Sequence, residues 1–138
     1  MFNIDNLKNI DIKNLNPQSL AFVGDAVFSL YIRHKIVLAD NDKPTDQHKH
    51  TTIFVKAKGQ SDIIKNIEPM LTSEELQIYK RARNYKTNNI AKNSSVIDYK
   101  RATGFEALLG YHYLTNNTNR LNEILEMSYK SILDNNLE

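Results

Sequence analysis

The amino-acid sequence predicts an all-α protein, a bundle of about five to seven helices. Apolar residues recur at spacings of three and four along most of the chain, which is the period of a helix with one buried face. No run of alternating apolar and polar residues is long enough to predict a sheet. Proline and N-cap signals divide the chain into segments of helical length. We therefore expect a single domain over residues 1–138, with its core at about 16–134.

The first helix is expected to begin at Asn16-Pro17 and to end near Leu38. Asparagine is a favoured N-cap, and proline is well accepted at the first helical position because the N–H it lacks would have no partner there. The spacing of apolar residues predicts a core stripe formed by Leu20, Val23, Val27, Leu30 and Tyr31.

A second helix is expected to begin at Lys43-Pro44 and to continue to about Ile67, with Gly59 as a weak point. Pro69 ends it, because proline cannot donate the backbone hydrogen bond that a helix interior requires. The polar stretch 84–94 predicts a loop.

Local capping signals place the remaining three helices. Thr72 and Glu75 have the spacing of a capping box that opens a third helix. Ser95 can cap a fourth helix, which is expected to reach about Thr115. A turn follows at 116–118, and the last helix is defined by Leu121, Ile124, Leu125, Ser128 and Ile132.

Two carboxylates lie in the most apolar helices, and glycine accompanies both. Asp25 follows Gly24, and Glu106 stands between Gly104 and Gly110. A glycine inside a helix costs about 1 kcal/mol relative to alanine, and a carboxylate withdrawn from water without a partner costs far more. Mg²⁺ prefers oxygen ligands and needs only one or two carboxylates where a phosphate supplies the rest. We therefore expect the pair to bind Mg²⁺, or Mn²⁺, for phosphodiester hydrolysis.

Each carboxylate also has an alternative role when it is considered alone. Asp25 could cap a neighbouring helix or pair with a buried arginine, and Glu106 could be a satisfied ion-pair partner.

The net charge of +2 is unevenly distributed along the chain. Residues 80–101 carry seven basic side chains and one acid, so their local net charge is +6 while the remaining chain has −4. Such a concentration indicates a surface that meets an anion, although a solvated charged face is the alternative. We call these seven residues the basic segment: Lys80, Arg81, Arg83, Lys86, Lys92, Lys100 and Arg101.

Composition excludes several classes of protein. The chain has no cysteine, so disulfides and thiolate metal sites are excluded. The first residues contain no apolar segment of the kind that a signal peptide has. Asp25 and Arg33 interrupt the best candidate for a membrane span. We expect a cytoplasmic protein with no membrane contact.

The two acidic segments resemble the motifs of the ribonuclease III family. LAFVGDAVFSLYIR (20–33) is similar to the family's signature helix, Leu-Glu-Phe-Leu-Gly-Asp followed by apolar residues. ATGFEALLGYHYL (102–114) resembles its second acidic motif, Asp-x-x-Glu-Ala-Leu-x-Gly. KRARN (80–84) and IAKNSS (90–95) resemble the subfamily called Mini-ribonuclease III, and the resemblance covers nearly the whole chain.

The resemblance implies a Mg²⁺-dependent endoribonuclease that cleaves double-stranded RNA and leaves 5′-phosphate ends. Asp25 falls on the family's metal-binding aspartate, and Glu106 falls on its metal-binding glutamate. Ala21 and Thr103 stand where the family has two further acids, as is typical of the Mini subfamily. The ion would then rely on water and on the scissile phosphate. The implied substrate is precursor 23S ribosomal RNA, and a ribosomal-protein helper is left open.

The resemblance also implies a homodimer that packs through the helix of Asp25. The expected interface is an outward apolar face formed by Phe22, Phe28 and Ile32. Because the chain ends at Glu138, we expect no double-stranded-RNA-binding domain, and the basic segment would supply the substrate contacts. The main alternative is a non-catalytic RNA-binding or ribosome-associated helical protein. A plain oligomerisation bundle ranks last because it leaves the basic segment unexplained.

Overall fold

A computed structural model of the chain describes residues 10–39, 43–86 and 95–136. Over these residues the all-α prediction is confirmed: the structure has helices and turns and no strand. None of the described helices is both long enough and apolar enough to cross a membrane. The six α-helices are α1 (Pro17–Ala39), α2 (Pro44–Val55), α3 (Ala57–Ile67), α4 (Ser73–Arg83), α5 (Val96–Leu114) and α6 (Thr118–Asn136).

The caps that the sequence predicts are formed. The Thr72 hydroxyl accepts from the backbone N–H of Glu75 at 3.2 Å, and the Glu75 carboxylate accepts from the backbone N–H of Thr72 at 2.8 Å. This reciprocal pair opens α4. The Ser95 hydroxyl accepts from the backbone N–H of Asp98 at 3.0 Å and opens α5 in the same way.

The expected long second helix is instead two helices, and the break lies at Lys56 rather than at Gly59. Lys56 has the extended dihedrals φ −69° and ψ 158°, whereas Gly59 lies inside α3. The side-chain amide of Gln60 donates to the carbonyl of Val55 at 2.9 Å, so the last carbonyl of α2 has a partner across the corner. The sequence did not predict this break, because the corner is stabilised by the side chain of Gln60, which lies in the following helix.

The core surrounds α5, which packs against α1, α3, α4 and α6. Phe28 of α1 meets Phe105 of α5 edge-on, with ring centroids 5.1 Å apart and planes at 89°. Both rings are fully buried. This pair joins the two most apolar helices of the chain.

The backbones of α1 and α5 touch where two glycines face each other's helix. A Cβ atom on Gly24 would lie 1.7 Å from the carbonyl oxygen of Glu106, and one on Gly110 would lie 2.0 Å from the carbonyl oxygen of Leu20. Only a hydrogen atom fits at either position. The glycines therefore allow an approach that brings Asp25, next to Gly24, alongside Glu106.

The expectation that Phe28 and Ile32 form a dimer interface is wrong, because both are fully buried inside the subunit. Leu30, expected in the core, is 46% exposed. The buried arc of α1 is set by the helices packed around it and is wider than the expected stripe: Leu20 and Val27 of that stripe are buried, and so is a row at four-residue intervals. That row is Leu20, Gly24, Phe28, Ile32 and Ile36.

A buried ionic network joins α4, α5 and α6 and includes His112, which the sequence places off the face of Glu106. Nε2 of His112 lies 2.6 Å from the Glu75 carboxylate, and the Arg120 guanidinium donates to the same carboxylate at 2.8 Å. Burial alone would raise the pKa of Glu75, but hydrogen bonds from Arg120, Thr72 and His112 hold it at about 2. His112 is therefore part of the core of this fold.

Candidate active site

The two expected carboxylates line one open cleft between α1 and α5. The cleft has a volume of about 360 Å³. Ala21 and Thr103, the two positions at which the sequence lacks an expected acid, line it as well. The full set of lining residues is Gln18, Ala21, Phe22, Asp25, Tyr99, Thr103 and Glu106.

Asp25 and Glu106 have different environments. Asp25 lies on the exposed side of α1, so the expectation that it is withdrawn from water is wrong. Its neighbour along this side, Phe22, is 81% exposed. Glu106 is partly buried where α5 meets α1 and α3. The cost of withdrawing a carboxylate from water therefore falls on Glu106.

Burial and, after it, the Asp25 carboxyl within hydrogen-bonding reach together raise the pKa of Glu106 to about 9. A hydrogen bond from Gln60 acts in the opposite direction. Two acidic groups held this close cannot both ionise cheaply unless a cation lies between them. The site thus has the electrostatic character of a cation-binding site.

Gln60 is a site residue that sequence reasoning missed. Its side chain is 2% exposed, and its amide Nε2 donates to Oε2 of Glu106 at 3.4 Å. The signal was its spacing from Ile63, Ile64 and Ile67, which places Gln60 on the apolar face of α3. A polar side chain on that face has to find a partner inside the fold.

The basic segment lies outside the cleft. Lys80 and Arg81 are exposed on α4, and Lys86 is exposed just beyond it. The Arg81 guanidinium donates to the carbonyl of Lys13 at 2.8 Å. None of the segment's described residues is among those that line the cleft, and Lys92 falls outside the described residues.

The remaining described members of the segment lie on α4 and α5. The Arg83 guanidinium lies 5.5 Å from the centre of the Tyr79 ring, within cation–π range. Lys100 and Arg101 are partly buried near the start of α5, the helix that carries Glu106. Cationic side chains of the basic segment therefore lie on α4 and near the start of α5.

The donors of the cleft fit a hard divalent cation. Asp25 and Glu106 offer carboxylate oxygens, which Mg²⁺ and Mn²⁺ prefer over nitrogen or sulfur. Over the described ranges no three histidine, aspartate or glutamate side chains form a cluster of metal ligands. Water and a substrate phosphate would complete the coordination of an ion held by two carboxylates.

We expect Glu106→Gln to stabilise the cation-free protein at alkaline pH. Because the pKa of Glu106 is raised from its ordinary 4.5 to about 9, the folded protein binds more protons than the unfolded chain between these values. Its free energy of unfolding therefore falls as the pH rises through that window. For the unmodified protein we expect the free energy of unfolding to fall by at least about 2 kcal/mol between pH 5 and pH 8 because of Glu106. Glutamine stays neutral, so Glu106→Gln should not show this decrease.

Urea denaturation at pH 5 and pH 8, with a chelator present, measures this difference. Glu123→Gln on the exposed face of α6 is the control, and its pH profile should follow that of the unmodified protein. If the stability of the unmodified protein and that of Glu106→Gln changed with pH in parallel, the pKa of Glu106 would not be raised in the folded protein.

Comparison with known proteins identifies the family. The ribonuclease III domain model matches residues 18–117, which include both carboxylates. Mini-ribonuclease 3 of Thermoanaerobacter sp. (strain X514) is 47% identical over 130 residues, covering 94% of this chain and 92% of that protein. Mini-ribonuclease 3 of Clostridium tetani is 46% identical over 118 residues, covering 85% of this chain and 78% of that protein.

A known crystal structure shares this fold. The structure of a protein from Fusobacterium nucleatum superposes with a TM-score of 0.77 at 35% identity, covering 87% of this chain and 96% of that one. The chain belongs to the ribonuclease III family of RNA endonucleases, and within it to the Mini-ribonuclease 3 group.

Proposed function

We propose that this protein is a metal-dependent endoribonuclease that cleaves double-stranded RNA. The observation that carries the proposal is the pairing of Asp25 and Glu106 in one open cleft of an RNA endonuclease fold. The proposal includes 5′-phosphate product ends and precursor 23S ribosomal RNA as the substrate. It places the protein in the cytoplasm, where a ribosomal protein could present that RNA.

In the proposed mechanism Asp25 and Glu106 hold the divalent cation, Mg²⁺ or Mn²⁺. When bound, this ion supplies Lewis-acid activation of a water and of the scissile phosphate. Asp25 lies on the exposed side of α1, where RNA can approach. Glu106 instead contacts α1 through its backbone carbonyl and α3 through its carboxylate. The short side chains of Ala21 and Thr103 leave the other coordination positions to water and phosphate.

The basic segment is the proposed surface for RNA phosphates. Double-stranded RNA is recognised mainly through its shape, its phosphates and its 2′-hydroxyls, so cationic side chains outside the cleft suit this substrate. Lys80 and Lys86 are exposed and project a positive charge from the region of α4. Arg83 is ordered by the Tyr79 ring, which lowers the entropic cost of holding it for a phosphate.

Incubation with RNA duplexes and with precursor 23S ribosomal RNA, with Mg²⁺ or with a chelator, tests the proposed function. We expect the duplexes to be cleaved when Mg²⁺ is present and not when the chelator is present. A single-stranded RNA should stay uncut, and the products should carry 5′-phosphate ends. Retention of the duplex without cleavage would favour the alternative, a non-catalytic RNA-binding or ribosome-associated helical protein.

We also propose that two copies pair through an apolar face of α1, which keeps Phe22 of the interface expected from the sequence and excludes the buried Phe28 and Ile32. This face surrounds a pocket of about 350 Å³ beside Asp25. The apolar residues that line this pocket include Phe22, Val23, Ala26, Leu30 and Tyr113. Exposed apolar side chains that lie side by side can mark an interface between proteins.

We expect Phe22→Asp to convert the dimer into a monomer. Phe22 is 81% exposed in the subunit, so a charge there leaves the core intact but cannot be buried against a second copy. Light scattering coupled to size-exclusion chromatography measures the mass. Leu38→Asp, at another exposed apolar position of α1, is the control and should stay dimeric. An unmodified protein that is monomeric at micromolar concentration would refute the proposed interface.

A further inference from the structure

Gln60 makes a contact that the proposed mechanism does not yet use. Its Nε2 donates to Oε2 of Glu106 at 3.4 Å and to the backbone carbonyl of Val55 at 2.9 Å. The Val55 carbonyl can only accept, so the nitrogen rather than the oxygen of the amide has to face it. One amide therefore connects the carboxylate on α5 to the corner between α2 and α3.

This arrangement is costly for the fold. Oε1 of Gln60 is buried and has no hydrogen-bond partner among the described residues. A buried acceptor without a partner destabilises the folded state, and an apolar side chain of the same length would avoid that loss. Buried polar groups that work against stability are typical of functional sites.

Two contacts on different sides of Glu106 restrict its movement. Its backbone carbonyl is in contact with Gly24 of α1, so the backbone of α5 is held in place there. Its side chain is held from α3 by Gln60.

We propose that Gln60 is a positioning residue that holds the Glu106 carboxylate in the orientation that binds the divalent cation. This inference rests on the proposed function and adds a residue to its site. Gln60 does not line the cleft, so it acts through Glu106 and not on the RNA. Hydrogen-bond partners of metal ligands typically contribute about 10- to 100-fold to metal affinity.

The test replaces Gln60 with methionine, which has similar length and no donor, and separately with asparagine. Asparagine keeps the amide but is one methylene shorter, so it withdraws the donor from Glu106. We expect both Gln60→Met and Gln60→Asn to bind Mn²⁺ about tenfold more weakly, as measured by electron paramagnetic resonance of the protein without RNA. Ser61→Ala, at the buried neighbour on α3, is the control and should bind Mn²⁺ like the unmodified protein.

Cleavage assays separate positioning from a purely structural role. The Mg²⁺ concentration for half-maximal single-turnover cleavage should rise about tenfold in both variants, whereas the Kd for RNA should not change. Unchanged Mn²⁺ affinity in both variants would overturn the inference, and so would a loss of folding in both. An unmodified protein that neither binds Mn²⁺ nor cleaves RNA would instead refute the proposed function.

Discussion

Replacing Asp25 with asparagine is expected to abolish RNA cleavage, lowering the single-turnover rate by at least about a thousandfold. Asparagine has nearly the same shape but no charge, so the cleft loses half of the negative charge that would hold a divalent cation. Asp25 lies on the exposed side of α1, so we expect the fold and the affinity for RNA to be retained. The substitution also removes the Asp25 charge that contributes to the raised pKa of Glu106.

Cleavage of a duplex RNA in Mg²⁺ measures the rate, and circular dichroism and RNA binding verify the fold. Asp46→Asn is the matched control, since it makes the same acid-to-amide change on α2, away from the residues that line the cleft. We expect it to cleave at the unmodified rate. Full activity of Asp25→Asn would remove Asp25 from the mechanism.

Replacing Gly24 with alanine is expected to destabilise the protein by about 3 kcal/mol or more. In an open helix this change would stabilise the fold by about 1 kcal/mol, because alanine is the better helix former. Here the new Cβ atom would lie 1.7 Å from the carbonyl oxygen of Glu106. That oxygen belongs to the backbone of α5 and can move only if the helix moves.

Urea denaturation measures the loss of stability, and cleavage by the remaining folded protein reports on the site. Ser19→Ala, at an exposed position of α1, is the control and should change the stability by less than about 0.5 kcal/mol. We expect Gly24→Ala also to lose activity, because the displaced α5 carries Glu106. A variant as stable and as active as the unmodified protein would show that α1 and α5 have room to separate.

The helices that could be predicted were those with local signals. These signals are the Asn16 side chain that accepts from the N–H of Gln18 at the start of α1, the Thr72–Glu75 capping box of α4 and the Ser95 cap of α5. Their hydrogen bonds need no partner from elsewhere in the fold. For this reason the observed starts of these helices match the expected ones.

The errors came from features that depend on distant neighbours. The corner at Lys56 is stabilised by Gln60 of the following helix, and no breaker residue marks it in the sequence. The burial of Phe28 and Ile32 depends on how α1 lies against the helices around it. An apolar period indicates that a helix has a buried face, but it cannot say how wide that face is when several helices cover it.

The sequence by itself determined that two carboxylates accompany glycines in the two most apolar helices, because residue type and spacing are local properties. Only the tertiary structure decided their environments. Gly24 and Gly110 let two backbones meet, and this contact leaves Asp25 exposed while Glu106 is partly buried. The same packing brings the amide of Gln60 to Glu106 from another helix. Burial and hydrogen bonding between distant segments exist only once the helices have packed, so no local pattern records them.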